Sequence, residues 1–147
     1  MVRAGKSVAP GVSDVLTAAA AGYPFMVQLV GYYTWQSASR RGSDAIELRD
    51  AQKGIATARK SFDNMVIEPA LRRVSGKQFE YLAAMARCGS GPVASGDIAR
   101  EMGVAPMSVS TYRRRLVDAA LIEAPSYGVV SFAIPYMREY LIEHVRE

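Results

Sequence analysis

The sequence predicts a mainly α-helical fold with one small β-hairpin near the C-terminal end of the chain. Apolar residues recur at three- and four-residue steps through most of the 147 residues, as they do on one face of an α-helix. Between positions 121 and 132 this spacing gives way to two short runs of strand-forming residues that flank a turn. Half of the residues are hydrophobic and 22% are charged, which is typical of a globular chain and excludes a disordered one.

Three helices are predicted in the first half of the chain, after a flexible leader at residues 1–10. Ser13 is the candidate N-cap of the first helix, which ends before Gly22. Pro24 begins a second helix that is apolar nearly all round and is therefore expected to be buried. A third helix is predicted over about residues 49–67, before Pro69 interrupts the pattern. The apolar residues of this helix form a predicted packing seam: Ala51, Ile55, Ala58, Phe62 and Met65.

The second half of the chain carries clear local signals for helix ends. Ser75 and Gln78 fit a capping box at the start of one helix, and Gly103 is placed to end the next. Ser95 is the candidate N-cap of that second helix, and Pro106 suits the first turn of the helix that follows it. This third helix has a predicted buried side: Val109, Tyr112, Leu116, Ala119 and Ala120.

Two strands, at 121–123 and 129–132, flank the turn Ala-Pro-Ser-Tyr-Gly, and a last helix is predicted from 136 to 145. Helix, four-residue turn, helix and hairpin in this order resemble the winged helix-turn-helix family, which is found in bacterial transcription regulators and at the C-termini of several ATPases. The residues that match are Asp97–Val104, Val109-Ser110 and Arg115–Ile122. The resemblance implies a winged helix-turn-helix domain over residues 74–147. Ala120 stands where the family commonly has glycine, so a left-handed backbone there would be strained.

The second helix of this motif carries the candidate DNA-binding residues, if the domain docks on duplex DNA. Thr111 and Arg114 would face base edges, and Ser110 and Arg115 would lie nearer the phosphates. Arg114 and Asp118 have the spacing of a helical ion pair, which needs no partner. The distribution of charge along the chain argues against DNA binding by the second half. Residues 1–76 carry ten Lys and Arg against six Asp and Glu, whereas residues 77–147 carry eight of each.

Residues 11–73 are similar to the helical lid of AAA+ and STAND-type ATPases, in particular of prokaryotic AAA+ proteins that end in a winged helix. The residues that match are Ala21–Tyr32, which lie between two predicted helices and upstream of the winged helix. In that family a Gly-x-Pro at the start of a lid helix lies over the adenine of the bound nucleotide. The resemblance therefore implies candidate adenine contacts at Gly22, Tyr23, Pro24 and Phe25. The alternative interpretation is an ordinary helix start with proline in its first turn.

The chain contains no Walker A or Walker B segment, so we expect it to have no ATPase activity of its own. Gly5-Lys6-Ser7 lacks the preceding strand and glycine of a phosphate-binding loop. The two resemblances together imply a lid-type helical bundle followed by a winged helix-turn-helix domain with a small β-hairpin wing. On this interpretation the chain is a non-catalytic C-terminal fragment of an AAA+-type ATPase. Its partner would be an upstream core of the same protein that binds ATP or ADP, and the winged helix would couple to DNA or to a protein.

Other site types are excluded by composition. One cysteine, Cys88, and one histidine, His144, provide neither a disulfide framework nor a structural zinc site nor a nucleophile–base pair. The longest apolar run, residues 23–35, is too short to span a bilayer, so a cytoplasmic protein without membrane contact is expected. Two alternative functions remain open: a stand-alone winged-helix DNA-binding transcription regulator, and a protein-interaction module. An oligomer is compatible with each of them.

Overall fold

A computed structural model describes residues 6–144 of the chain. Backbone contacts divide the chain into two compact units, Met1–Val66 and Ile67–Glu147. The first unit is mainly helical, and the second combines helices with a three-stranded antiparallel sheet. The predicted fold class, a helical bundle followed by helices with a small β wing, is confirmed.

The first unit contains three helices and two very short strands. They are β1 (Ser7–Val8), α1 (Val12–Ala20), α2 (Pro24–Arg40), β2 (Ala45–Ile46) and α3 (Leu48–Phe62). β1 pairs in parallel with β2, and the buried Lys6 ammonium donates a hydrogen bond to the carbonyl oxygen of Ser43. The prediction of a flexible leader is therefore wrong for residues 6–10, and residues 1–5 lie outside the described residues. Pairing with a segment almost forty positions away has no local signal in the sequence.

α1 and α2 differ in detail from the helices that the sequence predicts. Gly11, with φ 86°, is the N-cap of α1, so Ser13 lies inside the first turn instead of capping it. α2 buries one face, formed by Met26, Val30, Thr34 and Ala38. Val27 and Tyr32 remain 52% and 59% exposed, so the predicted burial all round is wrong. α3, α1 and β2 pack against α2, and together they leave these two side chains uncovered.

α3 continues directly into a π-helical turn, Asp63–Ile67, and then into α4, Glu68–Arg72. Ala51, Ala58 and Phe62 are buried in α3, as the predicted seam requires. Met65 lies in the π turn and is 59% exposed, so its predicted place in the seam is wrong. Pro69 sits in the first turn of α4, where a missing N–H is harmless, instead of interrupting the helix.

A buried carboxylate connects the end of α2 to the start of α3. Asp50 accepts hydrogen bonds from the Arg41 guanidinium, from the Ser37 hydroxyl at 2.8 Å and from the N–H of Glu47 at 2.8 Å. Burial by itself would raise the pKa of Asp50, but these donors, Arg41 foremost, outweigh it and lower the pKa to about 2. Asp50 is therefore ionised at neutral pH although its side chain is 1% exposed.

The described part of the second unit, residues 67–144, contains four helices after α4, one 3₁₀ turn and three strands. After α4 come α5 (Gly76–Cys88), β3 (Val93–Ala94), α6 (Ser95–Met102), a 3₁₀ turn (Pro106–Val109), α7 (Ser110–Asp118), β4 (Ile122–Ser126), β5 (Val129–Phe132) and α8 (Met137–His144). The predicted capping box at Ser75 and Gln78 is confirmed at the start of α5. Every residue of α5 from Tyr81 to Ala86 is buried, so α5 is the central helix of this unit. The last predicted residue of the C-terminal helix, Val145, lies outside the described residues.

The sheet has the strand order β3-β5-β4, with both pairs antiparallel. β3 is an addition to the predicted hairpin: Val93 pairs with Val130 and Ala94 with Val129. Two residues are too few to show an alternating pattern, which is why the sequence does not reveal this strand. β4 is longer than predicted and its register shifts between Glu123 and Ser126, around Pro125. Proline is tolerated there because β4 is an edge strand.

α7 ends in a Schellman motif that has alanine where glycine is usual. The N–H of Leu121 donates to the carbonyl oxygen of Leu116 at 3.1 Å, and the N–H of Ala120 to that of Val117 at 3.0 Å. This pattern places Ala120 in the left-handed region, with φ 63°. The strain that the sequence indicated for a left-handed backbone at this position is therefore present.

We expect Ala120→Gly to raise the free energy of unfolding by about 0.5–1 kcal/mol. Relief of about 1–2 kcal/mol of left-handed strain exceeds the entropy that glycine adds to the unfolded chain. Ala119→Gly is the matched control, because Ala119 is also exposed but has φ −83°, so the glycine there should destabilise. Urea denaturation of the three proteins measures the difference. Equal destabilisation by both substitutions would contradict the strain at Ala120.

Candidate nucleic-acid interface

α6 and α7 form the helix-turn-helix pair of the second unit. Gly103, with φ 74°, ends α6 as predicted, because the N–H of Val104 donates to the carbonyl oxygen of Ala99 at 3.0 Å. Ser95 is the first residue of α6 and not its N-cap, which is Ala94. The predicted second helix begins at Pro106 as a 3₁₀ turn before it becomes α-helical at Ser110. Three residues, 103–105, separate α6 from this 3₁₀ turn, so the connection is one residue shorter than the predicted four-residue turn.

The inner face of α7 holds the helix in place. Val109 and Leu116 are buried and Tyr112 is half-buried, as predicted. Ala119 and Ala120 are exposed, so their predicted burial is wrong. The helix ends at Asp118, and residues beyond it no longer follow the helical period that placed them on the inner side.

The outer face of this helix presents the four predicted DNA-binding residues together. Ser110, Thr111, Arg114 and Arg115 are all exposed. The Ser110 hydroxyl donates a hydrogen bond to the carbonyl oxygen of Met107 at 3.1 Å, so only its lone pairs are available to a ligand. Met107, one turn earlier, is 87% exposed on the same side of the structure's helix-turn-helix.

The three consecutive arginines of α7 differ in their surroundings. Arg113 is half-buried and close enough to the Tyr81 hydroxyl to affect its ionisation. Burial raises the pKa of Tyr81 to about 12, and the charge of Arg113 and the hydroxyl of Ser95 offset part of that rise. Arg114 and Arg115 instead point to solvent, and neither forms a salt bridge with any residue between 6 and 144. The predicted pairing of Arg114 with Asp118 does not form within 4.0 Å among these residues.

Neighbouring charges on α5 and α6 are already paired with each other. Arg100 binds Asp97 one turn away on α6, and Arg87 of α5 binds Glu101 of α6 at 2.7 Å. α7 itself carries three arginines against one carboxylate, Asp118, so the helix has a net positive charge. Such a helix is suited to an anionic partner.

The hairpin wing places an aromatic side chain at its tip. Tyr127 is fully exposed, next to Gly128, whose φ of 78° forms the turn between β4 and β5. The carbonyl oxygen of Gly128 accepts a hydrogen bond from the N–H of Ser95 at 2.8 Å, which joins the wing to the start of α6. The wing contains Glu123 and no Lys or Arg, so its contribution to an interface would be apolar and not electrostatic. The sequence signal for Tyr127 was its place beside the turn glycine, and it was not recognised as a site residue.

The four candidate adenine contacts lie at the start of α2, in the first unit. Gly22, with φ 70°, and Pro24 are exposed, and Phe25 is half-buried. The Tyr23 ring packs edge-on against Phe62, with 5.4 Å between ring centroids. Tyr23 therefore contributes to the core of this unit, as the alternative interpretation of an ordinary helix start requires.

Two site types receive no support from the geometry. Across residues 6–144, no three His, Cys, Asp or Glu side chains come together in a way that would hold a metal ion. Within the same span, no helix combines the length and apolar character needed to cross a membrane.

Comparison with known proteins identifies one family. A family model described as "Domain of unknown function (DUF8462)" matches residues 64–141, which is just over half of the 147 residues. No curated protein and no solved structure shows significant similarity to the chain. The matched segment runs from the π-helical turn into α8, so it contains the helix-turn-helix pair and the wing.

Proposed function

The chain belongs to the DUF8462 family, a domain of unknown function, and we propose that its second unit is a winged-helix module that binds duplex DNA. The observation that carries this proposal is the outer face of α7. Arg114 and Arg115 extend from the second helix of a helix-turn-helix pair without a counter-ion among the described residues. A helix in this position is the element that enters the major groove in proteins built this way.

In the proposed complex α7 lies in the major groove. Thr111 and Arg114 face base edges, where an arginine fork can bind both acceptors of a guanine. Arg115 and the lone pairs of Ser110 lie nearer the phosphates, which set the register of the protein on the duplex. Tyr127 at the wing tip contacts the sugar-phosphate backbone or the adjacent minor groove through its exposed ring.

The small number of α7 cations without a counter-ion in the described part of the chain determines how strongly DNA binding should depend on salt. With two or three phosphate contacts, the logarithm of the association constant should fall with the logarithm of salt concentration with a slope of about −2 to −3. This slope is shallow for a DNA-binding protein. Sequence preference should therefore depend strongly on Arg114, because little of the affinity comes from charge alone.

We expect Arg114→Ala to weaken binding to a preferred duplex by about 1–3 kcal/mol, which is about 5- to 150-fold, and to reduce discrimination at one base pair. Arg115→Ala should weaken binding to all duplexes alike and make the salt slope shallower by about 1. The duplex is first selected from a random pool, and fluorescence anisotropy between 50 and 200 mM salt then measures affinity.

Arg73→Ala is the matched control, because Arg73 is an exposed arginine of the same unit at the end of α4, away from the helix-turn-helix pair. It removes the same charge and should leave the preferred duplex bound. Binding that is absent, that does not respond to salt, or that survives Arg114→Ala unchanged would refute DNA binding through α7. Arg114-dependent capture of a protein in place of DNA would do the same and would favour the interaction-module alternative.

A second candidate function follows from the lid resemblance: the chain is the C-terminal part of an AAA+-type ATPase whose core binds ATP or ADP. It is favoured by the open surface at Gly22, where an added Cβ would meet nothing within 4 Å, and by the exposed face of Pro24. Tyr23 packs edge-on against Phe62 but is only half-buried, so the candidate adenine contacts of this second function are still Gly22, Tyr23, Pro24 and Phe25. An in-frame Walker A segment upstream of residue 1 in the coding sequence would support this function, and a stop codon there would refute it.

A further inference from the structure

A cavity of about 340 Å³ lies between α2 and α3 of the first unit, at the end where α2 finishes. Four cationic side chains line it: Arg40, Arg41, Arg49 and Lys53. Residues 1–66 contain eight Lys and Arg, so half of the cations of this unit lie around one cavity. The net positive charge that the sequence places outside the winged helix is thus concentrated here.

The one carboxylate in the lining, Asp50, is fully occupied. It is bound by the Arg41 guanidinium, by the Ser37 hydroxyl and by the N–H of Glu47. Arg41 also donates to the carbonyl oxygen of Ala45 at 3.2 Å. Asp50 and Arg41 therefore neutralise each other and form a fixed floor, while the other three cations keep their charge.

The remaining cations have little to offset them. Arg49 is 3.1 Å from Glu47, in a pair whose two side chains are 62% and 45% exposed, so water screens it. Arg40 and Lys53 form no ion pair with any residue that the structure describes. Like charges around one concave surface repel each other, and an anion in the cavity would relieve that repulsion.

We propose that this cavity binds the phosphate group of a small phosphorylated molecule. Guanidinium forks and an ammonium are the side chains that bind phosphate oxygens most strongly. One water molecule takes up about 30 Å³ in the liquid, so a cavity of about 340 Å³ has room for roughly ten groups of that size. This is more room than a phosphate group alone would fill. The Tyr33 ring and the Thr57 hydroxyl complete the wall, and they suit a ligand body with an apolar face and hydroxyl groups.

Isothermal titration calorimetry of the full chain with pyrophosphate and with adenosine monophosphate tests the proposal. We expect saturable binding of one ligand per chain, with a dissociation constant below about 1 mM for at least one of the two probes. Lys53→Ala and Arg40→Ala should each weaken it at least about five-fold, and the double variant should abolish it. Lys60→Ala is the control, because Lys60 is exposed on α3 and does not line the cavity.

Circular dichroism establishes that the variants fold, which is expected because Arg40 and Lys53 are exposed. No saturable heat with either probe, or undiminished binding by the double variant, would overturn the proposal. Weaker binding of duplex DNA by Lys53→Ala, without any binding of the two small probes, would also overturn it and assign the surface to nucleic acid. Arg114→Ala should bind the small anions normally, so this proposal can fail or succeed independently of DNA binding by α7.

Discussion

Gly54→Ala is expected to lower the free energy of unfolding by about 3 kcal/mol. A Cβ at position 54 would lie 2.3 Å from the Thr34 hydroxyl oxygen, 2.5 Å from the Thr34 backbone nitrogen and 2.7 Å from its Cα. Two of these atoms belong to the backbone of α2 and cannot rotate away. The gain of about 1 kcal/mol that alanine brings to a helix interior is too small to offset a forced separation of α2 from α3.

Chemical denaturation of Gly54→Ala and Gly31→Ala at pH 7 separates packing from helix propensity. Gly31 lies inside α2, and an added Cβ there would meet nothing within 4 Å. Gly31→Ala should therefore stabilise the protein by up to about 1 kcal/mol. The two substitutions are therefore expected to change the free energy of unfolding in opposite directions. Stabilisation by both substitutions would show that the two helices do not approach each other at Thr34.

Asp50→Asn is expected to lower the free energy of unfolding by about 2–4 kcal/mol at pH 7. The amide keeps the shape of the side chain but loses the charge that holds Arg41, whose side chain is 25% exposed and partly desolvated. A carboxyl whose pKa falls from 3.8 to about 2 on folding contributes about 2 kcal/mol at neutral pH. The Arg41 guanidinium, left partly buried without its counter-charge, accounts for the remainder.

The pKa of Asp50 also predicts how the free energy of unfolding changes with pH. The folded-state pKa of Asp50 is lower than its ordinary value, so folding releases a proton wherever the carboxyl would otherwise be protonated. The contribution is complete above about pH 4 and is lost as the pH falls towards 2. Asp50→Asn should lack this part of the acid destabilisation, so the two stability curves should converge at low pH.

Asp44→Asn provides the control for charge removal, because Asp44 is exposed just before β2. Asp44→Asn should change the free energy of unfolding by less than about 0.5 kcal/mol, both at pH 7 and at pH 3. Parallel stability curves for wild type and Asp50→Asn between pH 7 and pH 3 would mean that the carboxylate does not hold the two helices together.

Several helix ends were predicted correctly from local signals, although the predicted N-caps Ser13 and Ser95 were not. The capping box of Ser75 and Gln78, the C-terminal glycine at Gly103 and the proline at the start of α2 all act on backbone groups within four residues. The hairpin from Ile122 to Phe132 is local in the same sense, because its two strands are joined by a short turn. Residues that are close along the chain lose little conformational entropy when they come into contact. The sequence pattern alone therefore predicts such contacts.

Several of the errors concern features that depend on residues far apart in the sequence. β1 pairs with β2, and β3 with β5, across 38 and more than 30 positions respectively, and neither two-residue strand has a pattern of its own. The exposure of Val27 and Tyr32 on α2 depends on which neighbours the helix acquires. Met65 lies in the π-helical turn after Phe62 and is exposed, although its spacing fits an uninterrupted α-helix.

The sequence by itself determined the helical class of this protein, the helix-turn-helix order, the wing and the outward direction of Thr111 and Arg114, because helical phase and turn chemistry act over a few residues. Only the tertiary structure decided that Asp50 would be a buried carboxylate and that Arg40 and Lys53 would share a cavity with Tyr33. Those side chains come from two different helices. Their electrostatics arise from distances that exist only after α2 and α3 have packed.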